Sequence, residues 1–122
     1  MSEYNCCVKC GVNNAERHHI IFKSAAKYME FIPINIVYLC GEHHRANNSP
    51  HKSKKVDLKL KIDLQNKLET MFINKFYSRE EIKTLLRCTD KDITLILKKL
   101  TLYRMGYERE QLLRRLLGGR MY

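Results

Sequence analysis

Two regimes of apolar spacing divide this chain of 122 residues. Up to residue 51 the apolar positions come in short, β-branched bursts. Residues 16–22 (Glu-Arg-His-His-Ile-Ile-Phe) and residues 34–39 (Ile-Asn-Ile-Val-Tyr-Leu) each predict a strand. Residues 5–11 read as a turn ending at Gly11. Residues 23–33 connect the strands through Ser24-Ala25-Ala26 and Pro33, with room for a short helical turn. Gly41 then allows a turn into a short helix over 42–48, which Pro50 ends because proline disfavours helix at the residue before it. The predicted order is strand, loop, strand, helix, a compact ββα unit.

Beyond a Lys-rich linker at 51–55 the period changes. Residues 56–63 (Val-Asp-Leu-Lys-Leu-Lys-Ile-Asp) alternate, but Leu60, Leu64, Leu68, Met71, Phe72 and Phe76 continue at helical spacing. The run is too long for a strand, so one helix is expected over 56–77. Ser78, with Glu81 three residues on, has the form of a capping box ahead of Ile82, Leu85 and Leu86. Thr89 or Asp90 could cap a further helix carrying Ile93, Ile96, Leu97 and Leu100. A last helix is expected over 108–117, stopped by Gly118-Gly119. The expected fold class is therefore α+β: a small ββα module over 1–55, then an α-helical extension over 56–122.

Charge follows the same division. The net charge is +10, yet only 5 of the 23 Lys and Arg lie in 1–51, against 4 of the 13 Asp and Glu. The basic field belongs to the second half and favours a polyanionic partner or a well-solvated helical surface. No apolar run approaches the length of a membrane span, and the first residues lack the pattern of a signal peptide. A cytoplasmic setting is the expectation, and there clustered cysteines read as metal ligands before disulfides.

The clustering is pronounced. All five histidines fall between residues 18 and 51, and four of the five cysteines flank or enter that stretch. Cys7-x2-Cys10 and Cys40-x2-His43 form two knuckles bracketing both predicted strands. Zinc takes four such ligands in a tetrahedron, and one structural Zn²⁺ would staple the ends of the hairpin. Cys6 could replace Cys7 only by giving up the two-residue spacing, and Cys88 is remote. Adjacent residues on a strand face opposite ways, so His18 and His19 should not grip one ion; one can bind while the other stays free as a base. Neighbours on a helix diverge similarly, which lets His43 face the zinc and leaves His44 to meet His18 at a second cation. Asn48, one turn after His44, or His51, beyond the Ser-Pro bend, could add a ligand there. A neutral imidazole beside a cation and a phosphate suits removal of a proton from water near neutral pH.

Together, Cys7-x2-Cys10-Gly11, Glu16-Arg-His18-His19-Ile20-Ile21, Asn35-Ile-Val-Tyr-Leu-Cys40 and His43-His44 resemble the HNH (ββα-metal) endonucleases in their zinc-knuckle form. Phage-encoded members are the most similar, on account of His51 and residues 56–65. The resemblance covers residues 6–51. It implies that His18 and His44 ligate a catalytic divalent cation such as Mg²⁺ or Mn²⁺. It also implies that His19 is the general base and that Asn35 holds the loop that orients it. The third ligand stays open between Asn48 and His51, and His43 stands where many members have a fourth cysteine. The implied activity is hydrolysis of DNA phosphodiesters to 5′-phosphate and 3′-hydroxyl ends, in phage or prophage DNA processing or recombination. Arg45, Lys52, Lys54 and Lys55 would contact DNA phosphates. Oligomeric state, monomer or homodimer, is left open.

Two alternatives accompany this reading. The first half could be a zinc-stapled nucleic-acid-binding module without catalysis, which would need neither His19 nor His44. Residues 79–100 could form a helix-turn-helix reader of DNA. The absence of glycine from the turn at 87–90 favours instead a helical bundle packed on the first module.

Overall fold

The computed structural model describes residues 6–47 and 49–122. The first half contains an antiparallel hairpin of β1 (Glu16–His19) and β2 (Ile36–Leu39), with Glu16 opposite Leu39 and His19 opposite Ile36. Both strands are shorter than the apolar bursts suggested. Beyond His19 the chain turns away into a loop with two 3-10 turns: Lys27–Met29 lies in the connector, where a short helical turn had room, and Pro33–Asn35 takes over Ile34 and Asn35, otherwise read as strand. Proline fixes φ and so favours the helical turn at 33. The turn at 7–11 is fastened to the hairpin by Val8 N–H donating to the Tyr38 carbonyl at 2.9 Å. Helix α1 (Gly41–Arg45) follows β2 directly and is shorter than the expected 42–48.

Helix α2 (Lys54–Met71) starts at Ser53, whose hydroxyl accepts from Val56 N–H. It buries Leu60, Leu64 and Leu68 on one face, the i, i+4, i+8 stripe of an amphipathic helix. It does not reach residue 77. The Arg109 side chain donates to the carbonyls of Glu69 and Phe72 and so satisfies the last turn's acceptors there. Arg109 lies 37 residues further on, which puts this stop beyond local pattern.

Phe76–Tyr77 form strand β3, which pairs antiparallel with β5 (Gly106–Glu108), and β5 pairs with β4 (Leu102–Tyr103). The C-terminal extension is thus not all helical: it carries a three-stranded sheet in the order β3-β5-β4. Strands of two or three residues are too short to show a period of two. Gly106 is required at φ +122°, because a Cβ there would lie 2.6 Å from the Tyr77 carbonyl oxygen.

Helices α3 (Arg79–Leu86) and α4 (Asp90–Leu97) form a helix-turn-helix pair between β3 and β4. The Ser78–Glu81 capping box is present in both directions, and Thr89 caps α4 by accepting from Asp92 N–H. The turn needs no glycine because Arg87 itself adopts the left-handed conformation, at φ 55°. Helix α5 (Arg109–Leu116), capped by the Glu108 carboxylate, ends before Gly118 and Gly119, both at positive φ. One apolar core runs through both halves. Ile20, Ile21, Ala26, Met29 and Ile32 from the hairpin loop join Leu64, Leu68, Phe72, Ile82, Ile96 and Leu116. No helix among the described residues is long and apolar enough to cross a membrane.

Candidate metal centres

Cys7, Cys10, Cys40 and His43 converge, their ligand atoms all within 4.8 Å of one another. Each knuckle arises locally. Gly11, at φ +78°, lets its N–H return to the Cys7 carbonyl at 2.8 Å, which curls Cys7 and Cys10 together. Cys40 caps α1 in an extended conformation, and one helical turn brings His43 back towards it. Cys10 Sγ lies 3.7 Å from Cys40 Sγ, and His43 Nδ1 lies 3.5 Å from Cys7 Sγ and 3.2 Å from Cys40 Sγ.

These spacings fit zinc. Bonds of about 2.3 Å to sulfur and about 2.0 Å to nitrogen in a tetrahedron put sulfurs about 3.8 Å apart and sulfur–nitrogen pairs about 3.5 Å apart. A disulfide would need about 2.05 Å. The sulfur chemistry agrees. Burial pushes the Cys7 thiol up, but amide N–H groups of Cys40, Lys9 and Cys10 outweigh it and bring it down to about 6. Cys7 is thereby prepared as a thiolate, the form that binds metal. The cluster could hold a structural metal such as zinc. Cys6 stands outside it, its Sγ donating to Asn13 Oδ1 at 3.0 Å.

A second set, His18, His44 and His51, also has its ligand atoms within 4.8 Å. His18 is 1% exposed, and among the described residues neither of its ring nitrogens has a hydrogen-bond partner. A buried N–H without an acceptor is costly. Burial first, then the imidazoles of His51 and His44, push His18 down to about 3, so protonation offers no relief. Burial and His44 likewise hold His51 below its usual range, against the pull of Asp57. His44 donates from Nδ1 to Glu16 Oε1 at 2.9 Å, which leaves its Nε2 as a bare lone pair 3.0 Å from His51 Nε2. Two imidazoles bound side by side to a six-coordinate cation at about 2.1 Å would stand about 3.0 Å apart. The unpartnered nitrogens of His18 and the lone pair of His44 therefore fit a cation at this cluster.

Glu16 had no role assigned from sequence. It shares a strand face with His18, being two residues before it, and that spacing was a signal for it. Its carboxylate orients His44 and pairs with Arg45 Nη2 at 3.2 Å. The bond from His44 and the nearby Arg45 charge hold it below the usual carboxylate range, against partial desolvation.

His19 sits at the end of β1 and takes a different path from His18. Its Nε2 lies 3.0 Å from the Glu30 carbonyl oxygen. That oxygen can only accept, so Nε2 carries the proton and Nδ1 of the neutral ring is free to accept one. Asn35, fully buried, fixes the loop between the two residues. Its Oδ1 accepts from Ile21 N–H at 2.8 Å, and its Nδ2 donates to the carbonyls of Ile21 and Met29 at 3.2 and 3.1 Å. His18, His19, His44 and His51 line one open cavity of about 320 Å³ together with Arg17 and Lys23. Those two cations were also overlooked from sequence, although they flank the histidine pair.

Of the remaining expected residues, Arg45, Lys52, Lys54 and Lys55 are all exposed, the last two in the first turn of α2. Asn48 lies outside the described residues, while His51 is placed against His44 and stacks on Phe22 with ring centroids 5.4 Å apart. No protein-family model, no curated protein and no solved structure matches the chain.

Proposed function

We propose that this protein is a metal-dependent DNA endonuclease of the HNH (ββα-metal) type, with the Cys7, Cys10, Cys40, His43 cluster holding a structural Zn²⁺. The observation that carries this reading is the pairing of two arrangements in one cavity. A histidine with a fixed tautomer, His19, faces the same space as three converging imidazoles, of which buried His18 has no hydrogen-bond partner among the described residues. A nonspecific zinc-stapled binder would have no reason to bury His18 unsatisfied.

His18, His44 and His51 would hold one divalent cation. When bound, that ion supplies positive charge for a phosphate and for the departing 3′ oxygen. His19 accepts a proton at Nδ1 from a water in the cavity, while Glu30 and Asn35 keep the ring aimed. Asn35 is a positioning residue. Arg17 and Lys23 offer charge to the scissile phosphate's neighbours. Lys54 and Lys55 stand where the dipole of α2 would favour acids, which supports a role for them towards DNA phosphates.

The test is incubation of the zinc-loaded protein with supercoiled plasmid and Mg²⁺, Mn²⁺, Co²⁺ or Ni²⁺. Nicked or linear product is expected with at least one of these ions and none without added ion. Intact plasmid under every condition, from protein with full zinc content, would contradict the proposal.

A further inference from the structure

A second cavity, of about 510 Å³, lies between residues 27–31 and α4. Phe31 projects at its rim and is 60% exposed, although Ile32 beside it is fully buried. Across from it, Lys91 and Leu95 of α4 and Lys98 at its C-cap form one stripe at i, i+4 and i+7. Lys27 also lines the cavity, so three lysines border its apolar residues.

The floor of this cleft is built. Tyr28 donates its hydroxyl to the Arg115 carbonyl at 2.6 Å, and the Arg115 guanidinium lies 3.5 Å over the Tyr28 ring. Arg115 also donates to the carbonyls of Ile96 and Leu95, at 2.8 and 2.9 Å, at the end of α4. Those donors are committed, so the charge offered to a ligand comes from the three lysines. Two carboxylates also border the cleft. Glu30 is answered by Lys23 at 3.6 Å, and Asp92 sits in the first turn of α4.

In a helix-turn-helix the exposed stripe of the second helix must enter a major groove. Here that stripe is one wall of a cleft of small-ligand size. A duplex does not fit such a space, whereas one nucleotide does. An exposed flat ring flanked by ammonium groups is the pattern that binds single strands, the ring stacking on a base and the cations tracking phosphates. We propose that this cleft takes an unpaired nucleotide of a DNA strand, its base on Phe31 and the flanking phosphates on Lys27, Lys91 and Lys98. The proposal rests on the reading that DNA is the substrate. It places a sensor of unpaired DNA next to the loop whose Glu30 carbonyl fixes His19.

The chain has no tryptophan, so Phe31→Trp installs a single fluorescent reporter at an exposed position. Titration of the full-length variant with oligothymidylate of about ten nucleotides, a typical single-strand site size, is expected to quench its emission. Blunt duplex of equal phosphate content should compete poorly. Phe31→Ala and Lys98→Glu, measured by anisotropy of a labelled oligonucleotide, should each weaken binding about tenfold, the scale of one lost stacking or phosphate contact. Unchanged emission, equal competition by duplex or unaltered affinity of Phe31→Ala would each overturn the proposal, and would favour a protein partner for this face. Single-strand binding through Phe31 by a protein that cuts no DNA would sink the nuclease reading alone. Plasmid cutting by wild type without such binding would sink the cleft alone.

Discussion

At the scale of single residues, His18 and Asn35 show two opposite ways of being a buried polar group. Asn35 spends all its side-chain hydrogen bonds on the loop between β1 and β2. His18 spends none. Removing the first strands the Ile21 N–H and the Ile21 carbonyl, each costing about 1–3 kcal/mol when buried and unpaired, while the Met29 carbonyl keeps its bond from Ile32 N–H. Asn35→Ala should therefore lower unfolding stability by roughly 3 kcal/mol or more in urea titrations, and a loss under about 1 kcal/mol would show that water or relaxation replaces it. Removing Glu16 acts differently, because its carboxylate aligns His44 instead of filling a core. Partners that orient a metal-bound histidine typically contribute about 10–100-fold in metal affinity. Glu16→Gln is expected to weaken binding of the second metal equivalent by that factor, measured by Co²⁺ or Mn²⁺ titration of zinc-loaded protein. Unchanged affinity would remove Glu16 from the account.

The donor set itself was legible at this scale. Zinc chemistry is local, and two ligands separated by two residues announce a knuckle wherever they occur. That His51 meets His44 was not legible, because it depends on how the chain bends back after α1. His51 reaches His44 by stacking on Phe22, a residue 29 positions earlier in the chain.

At the scale of elements, capping and periodicity predicted helices well where the signals are local. Ser78 with Glu81 and Thr89 cap as their residue types suggest, whereas Glu108, read as the first residue of the last helix, caps it instead. The failures came from tertiary partners. Helix α2 stops at Met71 because Arg109 reaches its carbonyls, and the short sheet exists only because β5 passes between β3 and β4. Gly106 is where that sheet is most exacting. Gly106→Ala forces a methyl onto the Tyr77 carbonyl at a φ that side chains resist, and should destabilise by about 2 kcal/mol. Thermal melts would check it; stability within about 0.5 kcal/mol of wild type would mean the β3–β5 pairing is not tight.

For the whole molecule, the consequence of one core shared by hairpin loop and helices is that a metal held at the Cys7, Cys10, Cys40, His43 cluster should be felt throughout. Ile20, Ile21 and Ile32 pack with α2, α3, α4 and α5, so loosening the hairpin loosens the helical half. Cys40→Ser should abolish stoichiometric zinc and lower the single melting transition by roughly 10 °C or more, as a loss of about 3 kcal/mol would in a domain of this size. A zinc-free protein that melts at the wild-type temperature would show that the four-residue cluster does not support the fold.

The central claim is that four of the clustered ligands are scaffold while the neighbouring histidines are chemistry. Its most direct test is the single-turnover rate of plasmid cleavage by His19→Ala beside wild type, with zinc content and circular dichroism measured on the same samples. The account predicts full zinc, an unchanged spectrum and a cleavage rate reduced at least about 100-fold, the usual contribution of a positioned base. Cleavage by His19→Ala at the wild-type rate would contradict it.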